Sequence, residues 1–470
     1  MEQWVRDPID REKERRGVPL EVKYTGSGYY LYQVTSVWDP ERRKRRKISK
    51  YIGRVNEDGE VMENRRTVHE YGNSRLLLTI AKELEPPLRS YFPSHYRDIM
   101  AMGMLRNLGP VPIRLMKTKW EKLHASVEVE AHLSPNTVSS TLKIIGSDYD
   151  AQRRLFTKLL SGTKYRVFDL SSVFTRSENI RLAEKGHNPK HLQIKQINMA
   201  MLFSHEKRMP AVLKPIPGSV RDPKVFRSLM KEYPLKKCII IADRGSSPGT
   251  MQASGAGYII PLKSNSLLVD YSLEVEKSFS YNGRGINATR KPTKEGILYM
   301  YEDTLLRYEQ ESSFISRISE GKEEQSSLMK RRGEFGKIHV LSNLDLDPED
   351  LYKMWKTREE IEEAFDIMKY NLEEDKTCLQ DDDSVRGYFL TILVALYIRY
   401  RIPNILREKG MNGKLSVNEV LTELSRVYII TMGVRRVLSE VTKKASGIEE
   451  TLGIKLFPKI LRSWSFKNRN

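Results

Sequence analysis

The chain has 470 residues, with 80 lysines and arginines against 61 aspartates and glutamates, and therefore a formal net charge of +19. Its length allows roughly two to four domains around a large core, and its charge favours an acidic partner, nucleic acid first, over a merely basic soluble protein. The two cysteines, Cys238 and Cys378, exclude a disulfide framework, and the longest apolar run, Tyr388 to Ile398, is too short to span a bilayer, so we expect an intracellular protein without a membrane partner.

Residues 1–64 have the pattern of a small basic β unit. The segment from Tyr29 to Trp38 is rich in aromatic and β-branched residues, which indicates a strand, and a turn follows at Asp39-Pro40. A second strand-like piece ends at Ile52-Gly53. We therefore predict a β-hairpin with a basic tip, which either grips DNA phosphates or is a solvated loop. The tip consists of Arg42, Arg43, Lys44, Arg45, Arg46 and Lys47.

Residues 65–160 have helical patterns and form a possible DNA-binding region. Ser134 is a suitable N-cap, and Pro135 suits the first position of a helix. Val138, Leu142 and Ile145 would form the buried edge of this helix and leave small polar residues exposed. Such a helix could enter a DNA groove, although short Ser/Thr-rich helices also occur for other reasons.

Residues 161–265 predict a mixed sheet covered by helices, because three strands, a helix and two further strands follow one another. Asp169 lies near the end of the first strand, and Asp243 ends the fourth, an almost continuous apolar run. The predicted segments are Tyr165–Leu170, His191–Ser204, Met209–Ile216, the helix Arg221–Tyr233, Cys238–Asp243 and Ala256–Leu262.

Residues 266–337 are polar and are predicted to form a β-rich insertion, with Tyr299, Tyr301 and Tyr308 in strand-like pieces. Residues 338–405 resume the core pattern, and Asp347-Pro348 is typical of a helix start. Residues 406–470 are predicted to be a C-terminal helical region, helical to about Phe457, that could serve dimerisation.

The helix that starts at Asp347-Pro348 carries the most informative pattern in the chain. Trp355, Arg358, Glu362 and Lys369 fall within about 60° of one another on a helix. An apolar stripe adjoins them and would be buried. It consists of Met354, Ile361, Phe365, Met368 and Leu372. A carboxylate flanked by cations suits a site that holds metal ions and a phosphate backbone together.

Three carboxylates, Asp169, Asp243 and Glu362, could meet at strand ends beside this helix. They would repel one another unless cations joined them. A pair of divalent ions about 3.5–4 Å apart, as used for in-line phosphoryl displacement, requires such an arrangement. Glu362 has acidic neighbours, so a solvated acidic helix is the alternative, and helical geometry alone does not decide between them.

The spacing of the four helix residues resembles a known family signature. The chain is similar to insertion-sequence DDE transposases of the Tyr-Arg-Glu-Lys group, whose signature leaves two, three and six residues between its members; Trp355 stands where the family has Tyr. The sequence around Asp169, Phe168-Asp169-Leu170-Ser171-Ser172, and that around Asp243, Ile241-Ala242-Asp243-Arg244-Gly245, share the resemblance. It covers roughly residues 160 to 400 and implies a ribonuclease H-like core interrupted by a β-rich insertion.

The resemblance implies a prokaryotic, cytoplasmic transposase that acts on the nucleoid. It would bind the ends of a mobile element, cleave them and join the 3′-ends to target DNA, as a homodimer on double-stranded DNA. Asp169, Asp243 and Glu362 would hold two Mg²⁺ ions, with Mn²⁺ able to substitute, while Trp355, Arg358 and Lys369 would contact DNA. A same-fold nuclease without strand transfer and a non-catalytic DNA-binding derivative are the alternatives.

Overall fold

The computed structural model describes the chain except residues 1–2, 27, 40–42, 56–60, 64–65, 176, 187–193, 221–224, 226–228, 230–231, 234–237, 242–256, 375–378, 412, 433–434 and 459–470. The helices within the described part are Gln3–Arg16, Gly72–Ala81, Glu85–Tyr91, Tyr96–Arg106, Met116–Trp120, Ala125–Glu128, Pro135–Ser147, Tyr149–Leu160, Thr304–Ser319, Gln325–Arg331, Pro348–Glu374, Asp382–Glu408, Val417–Leu424 and Lys443–Leu452, with a 3₁₀ turn at Ile113–Leu115.

The strands are β1 (Leu20–Thr25), β2 (Gly28–Asp39), β3 (Lys44–Val55), β4 (Val61–Glu63), β5 (Arg66–Glu70), β6 (Arg166–Phe174), β7 (Glu184–Lys185), β8 (Lys195–Ser204), β9 (Met209–Pro217), β10 (Cys238–Ile241), β11 (Gly257–Pro261), β12 (Lys277–Tyr281), β13 (Arg284–Thr293), β14 (Gly296–Asp303), β15 (Lys337–Ser342), β16 (Tyr428–Met432) and β17 (Arg435–Leu438). The predicted helix Arg221–Tyr233 lies largely outside the described residues.

The chain forms two compact units. The terminal unit comprises Met1–Leu77, Glu121–Glu128 and Lys409–Asn470, and the central unit comprises Leu78–Trp120 and Val129–Glu408.

A large mixed sheet dominates the central unit, which confirms the predicted α/β class. Its strand order is β12-β13-β14-β15-β11-β10-β6-β8-β7, and β9 pairs with β8. Strands β8 and β9 continue antiparallel from β6, whereas β10 runs parallel to both β6 and β11. Nine of the ten residues of β8 are buried, as expected for a strand covered on both faces.

Strand β6 is longer than the sequence pattern predicts. It continues past Leu170 to Phe174, because Ser171 and the residues after it keep their antiparallel pairing with β8. Asp169 therefore lies in the middle of a strand and not near its end. The predicted strand stopped at Leu170 because two polar serines follow it. The observed strand continues through them, because backbone hydrogen bonding does not depend on side-chain polarity.

The segment between β11 and β15 adds three strands to the large sheet and then two helices. Strands β14 and β15 pair antiparallel, and β15 pairs in turn with β11. Tyr308 lies on the helix Thr304–Ser319, so its assignment to a strand is wrong. The helix begins there because the Asp303 side chain accepts hydrogen bonds from the backbone N–H groups of Leu305 and Leu306, each at 3.0 Å.

The helix Pro348–Glu374, named here the signature helix, starts where the sequence predicts. The side chain of Asp347 accepts a hydrogen bond from the backbone N–H of Glu349 at 2.9 Å and caps the helix. Four members of the predicted apolar stripe are buried, and the side chain of the fifth, Leu372, lies outside the described residues. The four buried members are Met354, Ile361, Phe365 and Met368.

The helix Asp382–Glu408 packs against strand β9 and against the helices Pro135–Ser147 and Tyr96–Arg106. It is long and apolar enough to cross a membrane by length and composition, but 78% of its apolar window is buried inside the protein, as in a core helix. It crosses the helix Pro135–Ser147 closely, since a Cβ on Gly146 would lie 1.7 Å from the carbonyl oxygen of Asp383. The predicted cap by Ser134 and the buried edge of Pro135–Ser147 are both confirmed.

The terminal unit contains two small sheets. In the first, of order β1-β2-β3-β4, strands β2 and β3 form the predicted hairpin. The cations Lys44 to Lys47 lie within β3 and not in a loop, because they pair with β2 as far as Asp39. In the second sheet, β16 pairs with β5 and β17. Strands β16 and β17 therefore interrupt the helical sequence predicted to run to Phe457.

Candidate active site

Two of the three predicted carboxylates converge on one cation. Asp169 projects from β6, and Glu362 projects from the signature helix. The Nε atom of Arg358 lies 4.0 Å from Oδ2 of Asp169 and 2.9 Å from Oε1 of Glu362. The structure thus brings Asp169, Arg358 and Glu362 together, although 193 positions separate the two acids in the sequence (362 − 169 = 193).

The third predicted carboxylate, Asp243, lies outside the described residues. Strand β10 ends at Ile241, two positions before Asp243. This strand pairs in parallel with β6, and Ile240 lies opposite Phe168. The described backbone of β10 therefore runs beside Asp169 to within two residues of Asp243.

The exposure of the cluster increases from the strand to the helix. The side chain of Asp169 is 16% exposed, that of Arg358 is 22% exposed and that of Glu362 is 54% exposed. Two carboxylates close together in a half-buried position require a neighbouring positive charge, and Arg358 provides one. Carboxylate oxygens are also the donors that Mg²⁺ prefers, so both acids fit a hard divalent cation. No group of three potential metal ligands occurs among the described residues, which do not include Asp243.

The acidic neighbours of Glu362 point to other partners. Glu359 pairs with Lys356, and Glu360 pairs with Arg208. Glu363 lies near Arg399. Burial lowers the pKa of the Arg399 guanidinium, and the negative charge of Glu363 partly opposes this shift. Since neighbours on a helix point in different directions, the acid that shares Arg358 with Asp169 is Glu362.

The two remaining members of the predicted signature, Trp355 and Lys369, lie on the same helix as Arg358 and Glu362. The ring of Trp355 makes an edge contact with Tyr352, at a centroid distance of 5.6 Å, and Lys356 Nζ lies 4.9 Å from the Trp355 ring centroid. Lys369 is half-buried and lies seven residues beyond Glu362, which corresponds to about 10 Å along the helix axis. Lys369 and Arg358 are therefore far enough apart on the helix to reach different parts of an extended ligand.

The turn between β8 and β9 contacts the signature helix, and the sequence did not predict this contact. Nδ1 of His205 lies 2.7 Å from Oγ1 of Thr357 in a hydrogen bond, and Arg208 pairs with Glu360. Burial lowers the pKa of His205, so the neutral ring is favoured. Arg208 has a φ of 49°, a conformation uncommon for residues other than glycine. A polar turn between two strands gives no sequence signal of the helix that it contacts.

The cations of the predicted hairpin tip belong to the terminal unit. Residues 43 to 47 are exposed, and Arg42 lies outside the described residues. Lys47 Nζ lies 2.9 Å from Oε2 of Glu21. Most of this positive charge therefore faces solvent on a strand, where it can attract an acidic partner.

Comparison with known proteins identifies one family. The family model described as "Transposase DDE domain" matches residues 162–398, half of the chain. No curated protein sequence matches. Among solved structures, a piggyBac transposase synaptic complex with hairpin DNA, determined by cryo-electron microscopy, has a TM-score of 0.33 and 11% sequence identity over 75% of this chain and 70% of that chain. This likeness is too low to specify a fold.

Proposed function

Because the chain belongs to the transposase DDE domain family, we propose that it cleaves the ends of a mobile DNA element and joins the 3′-ends to target DNA by metal-dependent phosphoryl transfer. The observation that supports this proposal is the convergence of Asp169 and Glu362 on Arg358, at 4.0 and 2.9 Å. Two carboxylates, whose oxygens suit Mg²⁺, thus lie beside one guanidinium, a group that suits phosphate.

The finer classification is also a proposal. The strand order β9-β8-β6-β10-β11, with three antiparallel strands followed by two parallel ones, supports a ribonuclease H-like core. The spacing of Trp355, Arg358, Glu362 and Lys369 on one helix supports the Tyr-Arg-Glu-Lys group. Trp355 keeps a flat ring but lacks the phenol oxygen of the group's Tyr. Stacking on a base therefore remains available to it, whereas a hydrogen bond through that oxygen does not.

Asp169 and Glu362 would hold divalent metal together with Asp243. When bound, two Mg²⁺ ions would supply activation of the attacking water or 3′-hydroxyl and stabilisation of the leaving oxygen. Asp169 on β6 and Glu362 on the signature helix would hold these ions between the two elements. Arg358 neutralises both acids, and its guanidinium would bind a phosphate once metal ions neutralise them instead.

The partner is double-stranded DNA. Lys369 would contact phosphates about 10 Å along the helix from Glu362, and residues 42 to 47 of the hairpin would contact phosphates elsewhere on the element end. We propose a homodimer, because two ends must be brought together before joining. Light scattering of the DNA complex tests this point, and a strictly monomeric complex would contradict it. We place this reaction on the nucleoid in the prokaryotic cytoplasm.

The experiment uses the purified full-length chain, Mg²⁺ or Mn²⁺, and labelled DNA that carries the ends flanking its own gene. We expect cleavage and joining by the wild type and neither product from Glu362→Gln or Asp169→Asn. Glu359→Gln is the matched control, since Glu359 is 61% exposed on the same helix and pairs with Lys356. This control should keep both activities.

Each other outcome has a distinct meaning. Cleavage without joined products would indicate a nuclease of the same fold. End binding without cleavage under either metal would indicate a non-catalytic DNA-binding protein. Equal loss of activity in Glu359→Gln and Glu362→Gln would remove the special role assigned to Glu362.

A further inference from the structure

The first sheet of the terminal unit has two faces of different character. One face packs against the helix Gln3–Arg16, where Val5 and Ile9 contact Leu31 and Val55 in a small core. Because successive side chains of a strand point to opposite faces, the neighbours of these core residues lie on the other side of the sheet. That side carries aromatic rings.

The aromatic face, defined here by Tyr30, Tyr32, Trp38 and Tyr51, runs along the β2–β3 hairpin. The ring centroids of Tyr32 and Tyr51 lie 5.4 Å apart, and those of Tyr30 and Tyr51 lie 6.1 Å apart. Trp38 lies six residues beyond Tyr32 on β2, hence on the same face and roughly 20 Å away. Tyr51 is 38% exposed and Trp38 is 58% exposed, so rings at both ends are open to solvent.

Cations lie between and beside these rings. Lys23 Nζ is 4.8 Å from the ring centroid of Tyr32. Arg45 lies opposite Trp38 in the hairpin, and Lys47, two residues further along, shares that face. Strand β3 contains six lysines and arginines among its 12 residues and no acid. One acid, Glu21, lies opposite Tyr32 on the same face and pairs with Lys47 at 2.9 Å. Lys23, Arg45 and Lys47 outnumber this acid, so the face suits a polyanion that also carries flat apolar groups.

Single-stranded nucleic acid has this chemistry. A single strand exposes the π-faces of its bases for stacking on aromatic side chains, while its phosphates follow a basic surface. In a duplex the bases are stacked on one another, so a duplex would use the cations of this hairpin but not its rings. The arrangement of rings and cations on one face distinguishes the two ligands.

We propose that the aromatic face binds single-stranded DNA, with bases stacked on Tyr32, Tyr51 and Trp38 and phosphates held by Lys23, Arg45 and Lys47. This activity needs no metal and none of the residues at the candidate active site. It therefore goes beyond the cleavage and joining proposed above. A transposase with such a surface can hold an unpaired stretch of DNA independently of the candidate active site.

Fluorescence anisotropy of the full-length chain, in EDTA, with a labelled 12-nucleotide single strand and the corresponding duplex, tests the proposal. The double variant Tyr32→Ala/Tyr51→Ala should bind the single strand about tenfold more weakly or worse, and the duplex as the wild type does. The double variant Tyr32→Phe/Tyr51→Phe keeps the rings and should keep the affinity. Tyr308→Ala is the control, since Tyr308 is 71% exposed on a helix of the central unit.

Two further variants keep the test valid if the tyrosine pair disturbs folding. Trp38→Ala changes an exposed ring outside the core and should also weaken single-strand binding, with an unchanged circular dichroism spectrum. Arg45→Ala/Lys47→Ala should weaken binding of both DNA forms and reduce its salt dependence.

Specific results would overturn the proposal. Unchanged single-strand affinity in both Tyr32→Ala/Tyr51→Ala and Trp38→Ala would do so, as would an equal loss for the duplex. The Glu362→Gln variant should bind single strands normally. A protein that fails to cleave element ends can therefore still pass this test, and one that cleaves can still fail it.

Discussion

Glu70 ends strand β5 and caps the helix Gly72–Ala81, and we predict that Glu70→Gln stabilises the terminal unit at alkaline pH. The carboxylate accepts hydrogen bonds from the backbone N–H groups of Asn73 at 2.7 Å and Ser74 at 3.1 Å. Burial nevertheless raises the pKa of Glu70 from 4.5 to about 7, because the desolvation of the charged form outweighs these two bonds.

The size of the effect follows from this pKa. A pKa raised in the folded state contributes stability that is fully present below 4.5 and is lost as pH rises through about 7. At about 1.4 kcal/mol per pH unit, ionisation then costs the folded state about 3 kcal/mol. Glutamine stays neutral but accepts through one oxygen, so it loses one of the two backbone bonds, worth about 1 kcal/mol. The net gain at pH 8.5 should be about 2 kcal/mol.

Urea denaturation followed by circular dichroism at pH 5 and pH 8.5 measures this difference. Glu419→Gln is the control, because Glu419 also accepts a hydrogen bond at the start of a helix but is exposed, and its pKa is lowered. This control should gain nothing at pH 8.5. If Glu70→Gln lost stability equally at both pH values, Glu70 would be an ionised cap held by the helix dipole, and the reasoning from desolvation would be wrong.

Four further changes test other parts of the molecule. Arg358→Ala should lower the free energy of unfolding without metal by about 1 kcal/mol, because two carboxylates lose their shared cation. For the same reason, Mg²⁺ should stabilise this variant more than it stabilises the wild type. An equal Mg²⁺ effect in both proteins would count against this. Gly146→Ala should lower the free energy of unfolding by about 1–3 kcal/mol or more, since its Cβ would lie 1.7 Å from a backbone oxygen. Gly447→Ala, in a helix with open space around it, should instead raise that free energy by roughly 0.5–1 kcal/mol, and urea melts of both variants decide. Because the pKa of His205 is lower in the folded state, the free energy of unfolding is highest above pH 6.5 and falls as the pH drops through the folded pKa. His205→Gln should therefore make that free energy less dependent on pH on the acid side. An unchanged pH profile would contradict this reasoning.

Local features of the molecule were predictable where neighbouring residues cause them. Asp347 and Ser134 cap their helices because a short polar side chain stands one residue before a proline and a helical pattern. The apolar stripe of the signature helix follows from a period of 3.6 residues. Apolar runs such as β10 also predict buried strands from local sequence, because a few consecutive apolar residues are enough to favour burial.

Tertiary structure decided the features that depend on distant partners. The length of β6 beyond Leu170 comes from its pairing with β8, and β16 exists as a strand beside β5, more than 350 positions away (428 − 70 = 358). No local pattern contains such a partner, because strand pairing is completed by backbone groups elsewhere in the chain.

The candidate site shows the same division. The sequence by itself determined that an acid, an arginine and a lysine share one side of the signature helix, because helical geometry is local. Helical geometry did not determine which of several acids meets Asp169, and only the resemblance to the signature spacing favoured Glu362. The structure does so, since Arg358 lies between Asp169 and Glu362 while Glu359 and Glu360 pair with Lys356 and Arg208. The orientation of the helix against β6 makes that choice, and packing between elements that are distant in sequence sets the orientation.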